Sequence, residues 1–258
     1  MQNWNMSREK IIGKTLFRVP SVSSTNDLMK TMTSRDMPEG AVVLAEVQTA
    51  GRGRLGRKWF SPKGGLWFSV LLRPKAEASE AAKLVFVASL SVAEVLRELC
   101  ELRAETKWPN DVHVNGKKIG GVLAEMKTSG GKVDHAVVGV GVNANFKVRE
   151  ALAEEVWETA TSIEDELGKH VDNTNLLLAV LEKLDEVYAV FVDEGSTAVL
   201  KRWKKLAGFL GRQVRVDVDS ESYTGVAVDV TSEGALALEL EDGSVRELRV
   251  GDVSLQVV

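Results

Sequence analysis

The stretch Gly51-Arg52-Gly53-Arg54-Leu55-Gly56-Arg57-Lys58-Trp59-Phe60 concentrates groups suited to handling anions. Glycine lets a backbone approach a ligand closely. Arginine offers a planar donor fork matched to phosphate or carboxylate, and tryptophan offers a flat face for stacking. A solvated basic loop or a nucleic-acid patch would carry the same residues, so this stretch alone leaves those readings open. The other candidates are scattered along the chain. Ser24-Thr25-Asn26-Asp27 opens a helix, with Ser24 as N-cap and Asp27 three residues on. The free N–H groups of such a turn cap a helix or hold a polar ligand. Lys118 follows the Lys107-Trp108-Pro109-Asn110-Asp111 run and enters a strand otherwise made of apolar and glycine residues. It is either an edge charge or a cation held over a pocket, and Gly120-Gly121 beside it favour the second. Asn143, at the end of a buried-type strand, could bond a base edge or a turn.

This set is rich in cations and hydrogen-bond donors and poor in bases and nucleophiles. There is no Ser/His/Asp order and no carboxylate pair, and His113, His135 and His170 share no metal-ligand spacing. Such a set suits phosphate chemistry done by positioning and charge stabilisation, without a covalent enzyme intermediate. Gly51, Gly53 and Gly56 satisfy G-x-G-x-x-G after a strand, but residues 57–65 cannot open a helix, which excludes a dinucleotide fingerprint. A Walker loop fails because Arg57 follows Gly56, and a kinase loop would need valine where Lys58 stands.

The elements that must position these residues follow from hydropathy patterning. Strands are expected at 16–19, 41–47, 66–72 and 133–142, and a long helix from Ser79 as cap to about Cys100. Val112-His113-Val114 turns through Asn115-Gly116 into 117–125 as a hairpin. Residues 146–206 read as helical, with Trp203 on a packed rim. Beyond Gly208, short alternating strands at 212–218, 223–230, 235–240 and 244–250 read as a small antiparallel barrel. The expected architecture is α+β, with a mixed-sheet domain over 1–207 and a barrel over 208–258. With 258 residues, 44% of them hydrophobic, there is ample material for a core. A net charge of -4 argues against general nucleic-acid affinity. The single Cys100 excludes an internal disulfide, and neither a signal sequence nor a membrane-spanning segment is visible, so a cytoplasmic location is expected.

Ser24-Thr25-Asn26, Gln48 followed by GRGRLGRKW, KWPNDV at 107–112, KKIGGVLAE at 117–125 and GVGVN at 139–143 occur in that order. With this ordered set the chain closely resembles the biotin protein ligases, from about Thr15 to the closing Gly251-Asp252-Val253-Ser254-Leu255. The resemblance implies a mixed-sheet catalytic domain of the biotin/lipoate ligase type and an SH3-like C-terminal barrel. It implies ATP and biotin as substrates with Mg2+, a biotinyl-5′-AMP intermediate, and transfer to a lysine of a biotin carboxyl carrier domain. Lys118 and Arg54 take the catalytic roles in that carry-over. Ser24, Thr25, Asn26, Gln48, Gly51, Arg52, Gly120 and Gly121 fall on the biotin side with them. Arg52, Arg57, Trp59, Lys107, Asn110, Asp111 and Asn143 fall on the ATP side, with Arg54 and Lys118 shared and no resident metal ligand. Asp111 is the candidate for orienting the acceptor lysine, and a homodimer is implied. Alternatives are a lipoate-type ligase and a binding sensor that has lost catalysis. Bifunctional family members carry an N-terminal winged helix-turn-helix. Only about 14 residues precede the first motif here, so neither DNA binding nor repression is expected, and no membrane partner is. Gln256 stands where the family commonly has arginine, which puts the barrel's part in catalysis in question.

Overall fold

The computed structural model describes residues 9–33, 36–218 and 220–255. Gln256 lies outside them. Seven strands, β1 (Leu16–Val22), β2 (Val42–Gln48), β3 (Leu66–Leu72), β4 (Ala104–Lys107), β5 (Asp111–Val114), β6 (Lys117–Ser129) and β7 (Lys132–Val142), form one mixed sheet. Its order is β1-β2-β3-β7-β6-β5-β4, with β1 parallel to β2 and the other pairs antiparallel. The turn between β5 and β6 has Asn115 at φ 50° and Gly116 at φ 78°, the positive pair a type I′ turn demands.

Helix α1 (Thr25–Met32) lies on one face of the sheet, where Met29 meets Val43, Leu71 and Val137. Ser24 caps it by accepting from Asp27 N, at 3.4 Å. The other face is covered by α3 (Leu84–Leu99), with α6 (Asn173–Glu194) and α7 (Ser196–Lys205) packed behind it. The single helix expected from Ser79 is broken into α2 (Ala78–Ala81) and α3, and neither carries a side-chain cap. The break lets Glu80 take Lys83 Nζ at 2.7 Å and the Ser196 N–H at 3.0 Å, tying the short helix to the start of α7. Short helices α4 (Val148–Ala151) and α5 (Ile163–Leu167) follow β7, and Ser162 caps α5.

Strands β8 (Gln213–Val218), β9 (Glu221–Val230), β10 (Leu236–Glu239), β11 (Val245–Leu248) and β12 (Asp252–Leu255) form a separate antiparallel sheet, in the order β11-β10-β9-β8-β12. Its apolar face joins the main core through Phe209. Trp203 is fully buried there rather than on a rim: α7 lies between the helical layer and the second sheet, so Phe86 and Phe209 enclose the indole. Its Nε1–H donates to Ser89 Oγ at 3.0 Å, so the buried polar atom is satisfied. Among the described residues no helix is long and apolar enough to cross a membrane.

Candidate active site

The glycine–arginine stretch folds as a tight hairpin. Gln48 N donates to Ser61 O (3.1 Å), Trp59 N to Gly51 O (2.9 Å) and Gly53 N to Arg57 O (2.7 Å). Its tip is a 3-10 turn, Arg54–Gly56, with Leu55 at φ 55° and Gly56 at φ 73°. A Cβ on Gly51 would stand 2.5 Å from Trp59 O, so glycine there is what lets the two legs close. The hairpin covers a cavity of about 290 Å³ on the α1 face of the main sheet.

One end of the cavity is a relay of uncharged polar groups. Gln48 Oε1 accepts from Thr25 N (2.8 Å) and Thr25 Oγ1 (3.1 Å), while Gln48 Nε2 donates to Ser61 Oγ (2.8 Å). Ser69 Oγ lies 2.7 Å from Thr25 Oγ1 and 2.6 Å from Asn26 Oδ1. Asn26 Nδ2 donates to Glu125 Oε2 at 2.8 Å. Asn26 fits because Gly139 is opposite: a Cβ there would come within 2.3 Å of Asn26 Oδ1.

The other end is cationic. Lys118 Nζ lies 2.7 Å from Asp111 Oδ1, an ion pair whose angles fall outside hydrogen-bond geometry, and 5.1 Å from the Trp59 ring centroid. Burial lowers the pKa of both Lys107 and Arg54, so each cation is held at a desolvation cost that an anion would offset. Arg54 Nη1 reaches Asn110 Oδ1 and Gly251 O, both at 3.4 Å, and Arg57 pairs with Asp252. The second sheet therefore supplies one wall. Trp59 lies flat on paired strands where Gly121 faces Gly141. A Cβ on Gly141 would stand 2.6 Å from Trp59 Nε1.

Of the residues nominated from sequence, all but Gly51 and Gly120 line this one cavity. Gly51 shapes the hairpin. Gly120 faces the helical layer, 3.7 Å from Val92 if given a Cβ. Asn110 and Asn143 line the wall, but their amide groups donate to Val122 O (2.6 Å) and Thr161 O (2.8 Å), which fixes backbone rather than leaving those donors free. Sequence reasoning missed His113, Asp252 and the floor formed by Leu123, Leu152, Val156 and Ala160. Alternation along Asp111-Val112-His113-Val114 places His113 on Asp111's face and could have found it. Its Nδ1 meets Gly116 O at 3.1 Å, which assigns the proton to Nδ1 and leaves Nε2 a buried, unpaired acceptor. Burial, then Lys107, pushes its pKa down to about 4. Among the described residues no three His, Cys, Asp or Glu side chains gather as a metal-ligand set.

A mixed sheet with an anion-ready cavity, roofed by a glycine–arginine hairpin, defines a class that comparison with known proteins makes specific. Residues 19–143 match the biotin/lipoate A/B protein ligase family, and residues 209–256 match the biotin protein ligase C terminal domain. The chain belongs to this family. It is 34% identical over 200 residues to the biotin--[acetyl-CoA-carboxylase] ligase of Paracoccus denitrificans, covering 77% of this chain and 83% of that one. It is 32% identical over 258 residues to the enzyme of the same name from Mycobacterium tuberculosis, covering 95% and 92%. The solved biotin protein ligase from Aquifex aeolicus in complex with biotin and ATP superimposes with a TM-score of 0.80 at 33% identity, covering 94% of this chain and 99% of that one.

Proposed function

We infer that the chain is a biotin protein ligase, which activates biotin with Mg-ATP to biotinyl-5′-AMP and then passes the biotinyl group to a lysine of a biotin carrier domain. The observation that carries the reading is a single cavity with a polar relay at one end and buried cations at the other, in a family with solved biotin and ATP complexes. In the first step a biotin carboxylate oxygen bonds the α-phosphorus and pyrophosphate leaves. In the second a carrier amine bonds the acyl carbon, AMP leaves and the amine loses a proton.

The approach of two anions is the electrostatic obstacle, and Lys118 and Arg54 are the groups we assign to lowering it. Asp111 on β5 pairs with Lys118 on the neighbouring β6, so the ammonium is oriented before substrate arrives. Asp111 is also the residue we assign to orienting the acceptor lysine. Ser24, Thr25 and Gln48 form the end suited to the carbonyl and N–H groups of the biotin ureido ring. Trp59 is assigned as a stacking face, and Lys107 and Arg57 as phosphate partners. Mg2+ belongs to the substrate: it favours one or two carboxylates with phosphate oxygens and waters, and arrives with ATP. The catalytic part is assigned to 1–207 and the appended unit to 208–258, a division supported by the two separate sheets. We further propose a cytoplasmic enzyme acting as a homodimer.

The test is a single-turnover incubation with labelled biotin and Mg-ATP, followed by a chase with a carrier domain. Adenylate that stays bound and then passes to the carrier lysine is the expected result. Biotin binding without adenylate would favour a sensor, and label taken only from lipoate would move the chain to the neighbouring ligase class.

A further inference from the structure

Asp27 sits at the i+3 position from the Ser24 cap, where a carboxylate often turns back toward the cap. Here its oxygens are taken elsewhere. Both Arg52 guanidinium nitrogens face it as a fork: Nη2 donates to Oδ1 at 2.7 Å and Nη1 meets Oδ2. Lys30 Nζ lies 2.8 Å from the same Asp27 carboxylate and 3.0 Å from Glu125, which lies 3.6 Å from Arg52. Two cations and two carboxylates from α1, β6 and the hairpin thus form one alternating cluster. A bidentate fork inside a network is the geometry in which a partly exposed ion pair has a measurable effect. Asp27 stays ionised well below the usual carboxylate range, chiefly through the Arg52 hydrogen bond.

The second hairpin leg is anchored separately, through Ser61 to Gln48 and on to Thr25 at the start of α1. The second leg also carries the exposed Arg57–Asp252 pair, but its base is held by uncharged groups, whereas the first leg meets α1 through charge at Arg52. We propose that Asp27, with Lys30 and Glu125, is a latch that holds the hairpin closed by gripping Arg52. Arg52 is then a positioning residue rather than a substrate ligand, and the latch sets how long the adenylate is retained. This rests on the ligase reading above. Ligand leaves through open states, so removing the grip raises their population and the release rate without altering Lys118 or Arg54.

The test uses the full chain loaded with labelled biotinyl-AMP and chased with unlabelled adenylate. Asp27→Asn should release label about tenfold faster, with first-turnover adenylation at saturating substrate changed by less than about twofold. Arg52→Ala should release equally fast, the double variant no faster than either single, and Asp27→Glu should recover part of the retention. Added salt should speed release from the parent chain more than from Asp27→Asn, which keeps the Arg57–Asp252 pair on the hairpin. Unchanged release from Asp27→Asn, or additive effects in the double variant, would overturn the latch. A second readout needs no catalysis. Trypsin should cut after Arg54, Arg57 or Lys58 faster in Asp27→Asn than in the parent chain, at equal melting temperature, and equal cutting would also overturn it. A parent chain that makes no adenylate would sink the ligase reading alone, because the cleavage comparison still decides the latch.

Discussion

The two faces of the main sheet are built from the same strands by opposite means. On β7, Val138, Val140 and Val142 alternate with Gly139 and Gly141, and on β5, Val112 and Val114 alternate with Asp111 and His113. The valines belong to the core under α3, with Val112 and Val142 wholly buried. Each such side chain stabilises by about 1.5–3 kcal/mol through burial. The alternate positions face the cavity, where glycines make room for Asn26 and Trp59 and where Asp111, His113 and Lys118 crowd together. Those groups add little apolar burial, and their desolvation opposes folding. Stability and chemistry are thus separated by residue parity, so a substitution should act on one or the other according to the face it touches.

The sharpest break of that comparison is Lys118→Ala. Removing the cation should lower single-turnover adenylate formation by about a thousandfold while the unfolding transition stays in place. Near-normal adenylation would remove Lys118 from its role.

Acid should expose the cost of the cavity face next. The folded-state pKa of His113 is down to about 4 from the ordinary 6.5, so below 6.5 the unfolded chain takes up a proton the folded chain refuses. The sign is fixed: the neutral ring costs nothing above pH 6.5, and stability falls as pH drops towards 4, by about 3 kcal/mol in all. Urea midpoints from neutrality to about pH 4 should show this limb, and His113→Leu should flatten it. An unaltered limb in that variant would assign the acid sensitivity elsewhere.

How much of this was legible depended on whether a signal was local. The Ser24 cap, the Asn115-Gly116 turn and the strand character of 133–142 are set by near neighbours, and the structure has them where the sequence put them. Lys118 stood out because a cation interrupts an apolar and glycine strand. The loop was different: its residue types left several ligands open, and only the ordered set of motifs narrowed them. Trp203 was misread because the lysines beside it suggest an exposed helix, whereas its burial is created by a second sheet that follows in sequence. The local spacing gives Asp27 as the cap partner through its N–H, whereas the partner of its carboxylate, Arg52, stands 25 residues away. The contact of Arg54 with Gly251 spans 197 residues and leaves no trace in composition or periodicity.

The parity rule itself is tested on β7, where neighbours differ by one position and face opposite layers. Gly141→Val places atoms where Trp59 lies, since even a Cβ would be 2.6 Å from its Nε1. The indole must move, and with it the roof over the reacting groups. Adenylation should fall about a hundredfold, since displacements of about 1 Å in a reacting geometry cost that much. Val138→Ala, on the other face and 1% exposed, removes two methyl groups from the core and leaves a void under α3. It should cost about 2 kcal/mol in urea unfolding and leave first-turnover adenylation unchanged. The pair is more informative than either alone. If Val138→Ala slowed adenylation as much as Gly141→Val, the strand would be transmitting core packing into the cavity. The two faces would then be one coupled unit, and separation by parity would fail.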